Sequence, residues 1–156
     1  TDVDIAFLKV HWDLTLESCL EDNIIIVGSC FPHRYRKYIG FPNVFVCMFK
    51  NAEFVECGVR FQEEVDLLGS KKDGLIQDTG WSLPEKIQGA GYDGCCMHYT
   101  KDFHKKYKVP SGEAYALEDG EWIFTHVGRG TRRNFSRAEV QTWKRAVEDW
   151  IHNGYA

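Results

Sequence analysis

The stretch His126-Val127-Gly128-Arg129-Gly130-Thr131-Arg132-Arg133 holds the residue types needed to bind an anion. Glycines let a backbone come close to a ligand. The guanidinium groups of Arg129, Arg132 and Arg133 supply fixed positive charge, and His126 can hold or release a proton near neutral pH. A phosphate or a carboxylate fits that set, although the stretch matches no named phosphate-binding fingerprint.

The elements before this loop decide what stands beside it. Asp119-Gly120 is a strong two-residue turn signal and predicts a hairpin of Glu113–Glu118 with Glu121–Val127. That register sets Glu113 opposite His126, Tyr115 opposite Phe124 and Leu117 opposite Trp122. It also sets Glu118 against Glu121, an unfavourable like-charge pair. A carboxylate beside an imidazole fixes its tautomer and raises its basicity, so Glu113 and His126 are the candidate catalytic acid and base. Arg129, Arg132 and Arg133 would then bind an anionic substrate and stabilise charge developing on it. The competing reading is a solvated Gly-Arg-Gly loop with His126 as an ordinary hydrogen-bonded sheet residue.

A second basic segment follows the first hydrophobic strand, Gly28-Ser29-Cys30-Phe31-Pro32-His33-Arg34-Tyr35-Arg36-Lys37. Cys30 at the mouth of a buried strand with cations after it is a candidate nucleophile, with His33, His98 or His126 as its base. Arg34 and Arg36 add candidate phosphate contacts, and rings interleaved with cations suit single-stranded nucleic acid. The plainer reading is a strand end followed by a surface turn. Cys95, Cys96, His98 and His104 match no zinc spacing, so no metal ligand is assigned, and no cofactor is implied. Walker, dinucleotide, nucleophile-elbow and deaminase patterns are absent from the sequence.

Composition bounds these readings. A length of 156 residues with 44% hydrophobic content suits a single globular domain over 1–156 with a substantial core. A net charge of -4 argues against a general polyanion coat, so nucleic acid would meet a local patch. No run reaches the length of a membrane span, and the first residues lack a signal-peptide pattern, so no membrane partner is expected. The 6 cysteines lie mostly within apolar patterns, where free thiols act as small hydrophobes. That favours a reduced, intracellular and cytoplasmic protein.

The remaining pattern predicts a short helix over Leu14–Leu20 capped by Asp13 or Thr15 and a buried strand at Ile24–Val27. A hairpin of Val44–Lys50 with Glu53–Phe61 around Asn51-Ala52 follows, then a helical turn at Gln62–Leu68. Ser82-Leu83-Pro84-Glu85 predicts a short capped helix, and Cys95–Tyr107 a further one. Ser136-Arg137-Ala138-Glu139 is a second capping box, opening a helix to about His152 with Gly154 as its stop. Val140, Trp143, Val147, Trp150 and Ile151 form its apolar stripe. Hairpins without regular strand–helix alternation give an α+β domain: a mostly antiparallel sheet with a C-terminal amphipathic helix packed on it.

Three functions follow as expectations. The first is a small domain that binds or acts on an anionic, phosphorylated or nucleic-acid ligand. The second is a non-catalytic module that modulates a protein partner, supported if Phe31, Tyr35, Tyr38, Phe103 and Tyr107 are exposed. The third is a Cys-dependent hydrolase or transferase built on Cys30 or Cys96.

Overall fold

The computed structural model describes residues 5–30, 40–59, 71–72, 75–76, 80, 82–109, 113–127 and 136–154. In chain order the elements are β1 (Ile5–Phe7), α1 (Trp12–Glu17), β2 (Ile24–Cys30), β3 (Pro42–Phe49) and α2 (Asn51–Glu56). Then come β4 (Lys71–Lys72), β5 (Leu75–Ile76), α3 (Leu83–Gly89) and β6 (Asp93–Thr100). The chain ends with α4 (Asp102–Tyr107), β7 (Glu113–Ala116), β8 (Trp122–His126) and α5 (Arg137–Asn153). Strand pairing is mixed but mostly antiparallel, and with these helices the class is α+β. Two compact units divide the chain: residues 13–97, and residues 1–12 with 98–156.

In the unit of residues 13–97, β2 is a β-branched run buried on both faces, with Ile25, Ile26 and Val27 fully covered. It pairs antiparallel with β3 and parallel with the first half of β6. Ile25, Ile26, Phe41, Phe54, Leu83 and Ile87 form its core. The expected hairpin around Asn51-Ala52 is corrected here: β3 is a strand, but Asn51–Glu56 is a helix. Phe54 N–H donates back to the Lys50 carbonyl at 3.0 Å, a helical bond. The Phe49 and Phe54 rings stack 4.3 Å apart across the strand–helix junction. Without a glycine, Asn51-Ala52 lacks the positive φ that a primed turn needs, and the chain coils instead. α3 begins as predicted with a proline in its first turn, but the Ser82 side chain does not cap it.

The helix predicted over Cys95–Tyr107 is also corrected. Asp93–Thr100 is a strand, and only Asp102–Tyr107 is helical. Gly94 explains part of this: a Cβ there would meet Pro42 Cδ at 2.6 Å, an approach that only glycine permits. The first helix runs Trp12–Glu17, earlier than predicted, so Asp13 lies in its first turn rather than capping it. The turn expected at Gln62–Leu68 falls outside the described residues.

In the other unit, the end of β6 pairs with β7, β7 with β8, and β8 with β1, all antiparallel. The helix α5 starts on the predicted capping box, with Ser136 and Glu139 bonding each other's backbone N–H. Trp143, Ala146 and Val147 sink into a core with Leu8, Phe103, Val109, Ala114 and Val127. Ile151, predicted in that stripe, is 44% exposed.

Candidate functional site

Register in the unit containing β7 and β8 sorts side chains onto the two faces of the sheet. Ala6, Thr125 and Ala114 share one row, and Trp143 of α5 reaches it with an indole N–H bond to Thr125 Oγ1 at 3.2 Å. The opposite face carries two rows. Ile5, His126 and Glu113 make one; Phe7, Phe124, Tyr115 and Tyr99 make the other.

Glu113 therefore stands directly across from His126, the predicted pairing. Tyr115 also faces Phe124 as expected, with rings stacked 4.6 Å apart. Beyond that the register slips. Ala116, not Leu117, opposes Trp122, because a bulge follows Tyr115. The turn is longer than two residues: Gly120 takes φ +81° and bonds back to the Leu117 carbonyl at 2.9 Å, while the Asp119 carboxylate caps Glu121 N–H. The slip removes the Glu118–Glu121 strand pair.

The Glu113 carboxylate is the hub of the site. The Tyr115 hydroxyl donates to it at 2.6 Å, an i,i+2 contact along one strand face. Its backbone carbonyl accepts from the Thr125 hydroxyl at 2.9 Å. Burial raises the Tyr99 phenol above its ordinary acidity range, and the Glu113 charge adds to that. His126 is buried at 8% exposure. So is His104 of α4, whose two ring nitrogens find no hydrogen-bond partner among the described residues. Desolvation lowers the His104 pKa, and Glu113 partly opposes this by favouring the imidazolium. The site is thus one half-exposed carboxylate within influence of phenols and imidazoles.

Arg129, Arg132 and Arg133, which follow this strand end in sequence, lie outside the described residues, as do Arg34, Arg36 and His33. Cys30 is the last residue of β2 in the other unit. Its half-buried thiol has a lowered pKa because the Cys96 side chain hydrogen-bonds to it; burial works against that shift. Cys96 is pushed the opposite way, by its bond to Cys30 first and by burial second. Among the described residues no group of three His, Cys, Asp or Glu side chains is arranged to hold a metal ion.

Of the aromatics proposed for a protein-docking surface, Phe103 is fully buried and Tyr107 half-buried, while Phe31, Tyr35 and Tyr38 lie outside the described residues. A separate depression of about 510 Å³ is lined by Trp122, Trp150, Lys9, Lys106 and Glu121 among others. The chain fills its aromatic wall with its own cation. Lys106 Nζ lies 5.2 Å from the Trp150 ring centroid, 5.7 Å from Trp122 and 5.3 Å from Tyr107. Lys9 pairs with Glu121 at the same place.

Sequence reasoning missed Tyr115, Tyr99 and His104 as members of the site. The Glu113-x-Tyr115 spacing was a usable signal, since strand residues two apart share a face. His104 is not legible, because Glu113 comes to act on it only once β6 and β7, apart in sequence, have paired. No protein-family model, curated protein or solved structure matches this chain.

Proposed function

We propose that the chain binds an anionic ligand, a phosphorylated small molecule or single-stranded nucleic acid, beside the start of β7 and the end of β8. Glu113 and His126 hold and move a proton there. The observation that carries this reading is the direct cross-strand placement of Glu113 against His126. Two further features support it. The Tyr115 hydroxyl bonded to the Glu113 carboxylate fixes the carboxylate's orientation. The sequence leaves β8 through His126 into Gly128-Arg129-Gly130-Thr131-Arg132-Arg133, whose charge complements a phosphate.

With His126 only 8% exposed, the imidazole acts as a proton-holding group behind the bound anion. Glu113, directly across the strand pair, exchanges a proton with that ring as the ligand changes charge. Tyr99, at 48% exposure, offers a ring on which a base can stack.

Thermal unfolding of the full chain against inorganic phosphate, nucleoside monophosphates and short single-stranded RNA and DNA tests the reading. A ligand at a hundred times its dissociation constant stabilises the fold by about 2.7 kcal/mol. Arg129→Ala is expected to remove that stabilisation without lowering the unliganded transition. No stabilisation by any member of the panel contradicts the proposal.

A further inference from the structure

β2 and β6 run parallel with Gly28 paired to Cys96. Cys30 is two residues beyond Gly28, so it shares a sheet face with Cys96 as its diagonal neighbour. Nothing stands between them in that row, because Gly28 has no side chain. It must stay glycine: a Cβ there would meet the Val46 carbonyl oxygen at 2.7 Å and Cys47 Cβ at 2.9 Å. The Cys96 thiol is therefore free to lean across the gap, and it reaches hydrogen-bonding range of Cys30.

From this placement we infer that Cys30 and Cys96 are a working dithiol, oxidised to a disulfide by hydroperoxides, with Cys30 the attacking sulfur and Cys96 the resolving one. The roles follow from the asymmetry of the pair. Cys96 donates its S–H, which favours thiolate at Cys30, whereas burial and the charges of Cys30, Cys95 and Asp93 keep Cys96 protonated.

In the first step the Cys30 thiolate attacks the terminal oxygen of a hydroperoxide. An S–O bond forms, the O–O bond breaks, and the departing alkoxide or hydroxide takes back from solvent the proton that the Cys30 thiol released on ionising, giving the alcohol or water and Cys30 sulfenic acid. Cys96 sulfur then attacks Cys30 sulfur, S–S forms, S–O breaks, and the departing hydroxide takes the Cys96 proton as water. The two thiols lose two electrons and the peroxide gains them.

Bridged cysteines need Cα atoms closer than about 7 Å, and parallel strands about 4.8 Å apart with a rise of about 3.3 Å per residue set diagonal neighbours roughly 8 Å apart. A shift on the order of an ångström closes that difference. Cys30 is placed to supply it, since it ends β2 at the register shift between Gly28 and Cys30.

The experiment treats the full chain with hydrogen peroxide and maps cysteines by mass spectrometry under non-reducing conditions. The expected product is a Cys30–Cys96 cross-linked peptide, reversed by dithiothreitol. In Cys96→Ser, oxidation is expected to stop at a sulfenic acid on Cys30 that dimedone traps. In Cys30→Ser, neither the cross-link nor a dimedone adduct on Cys96 forms. Without any variant, Cys30 is expected to alkylate faster near neutral pH than Cys47, whose thiol burial pushes up to about 11. Overturning results are a cross-link between other cysteines, dimedone labelling spread evenly over all of them, or Cys30 alkylating no faster than Cys47.

Discussion

The Trp143 indole donates to the Thr125 hydroxyl at 3.2 Å, and that hydroxyl donates in turn to the Glu113 carbonyl at 2.9 Å. One fully buried threonine therefore ties the C-terminal helix to the strand that carries the central carboxylate. Thr125→Val keeps the volume but strands an indole N–H and a carbonyl in the interior. We expect a loss of about 1–3 kcal/mol by urea denaturation. A loss within about 0.5 kcal/mol, the range of an ordinary surface change, would show that this relay does not hold the helix to the sheet.

The capping box at Ser136 holds the first turn of α5, with Ser136 Oγ accepting from Glu139 N–H at 3.2 Å and Glu139 Oε2 accepting from Ser136 N–H at 2.8 Å. Ser136→Ala is expected to cost about 1 kcal/mol. Ser136→Thr should recover most of it, since its hydroxyl both accepts from Glu139 N–H and donates to Glu139 Oε2 as the serine does. Equal stability of the alanine and threonine variants would show that the cap does not hold this turn.

His104 makes stability depend on pH with a definite sign. Its folded pKa lies below the ordinary imidazole value because burial disfavours the charged ring, an effect larger than the opposing pull of Glu113. The unfolded chain therefore binds the proton first as pH falls. Stability is complete above the unfolded value of about 6.5 and declines as pH drops toward the folded pKa. Urea midpoints measured between pH 7.5 and pH 5 should fall for the native sequence and fall less for His104→Phe. Parallel declines in both proteins would assign the acid sensitivity elsewhere.

Legibility in the sequence tracked how local each signal was. The α5 capping box reads directly, because Ser136 and Glu139 satisfy each other within one turn. The Glu113–His126 register reads from one turn and strand alternation, and it survives even though the bulge after Tyr115 lengthens the loop. One element departs for a local reason: Asn51-Ala52 has no glycine for a primed turn, so Asn51–Glu56 coils, and Phe54 still stacks on Phe49 from the helix. The other departs where a distant partner decides the conformation: Cys95 and Cys96 become strand residues by pairing with Val27 and Gly28, far away in sequence. The same distance hid part of the site: His104 and Tyr99 meet Glu113 only after β6 and β7 pair.

A histidine-ring NMR titration, with the His126 signals assigned against His126→Gln, tests whether an anion binds beside the Glu113–His126 pair. Short single-stranded RNA and then inorganic phosphate are added to the full chain. The His126 resonances are expected to move saturably, by more than those of His11 or His152, and to lose that movement in Arg129→Ala. His126 signals that stay in place while either ligand demonstrably binds would contradict binding beside that pair.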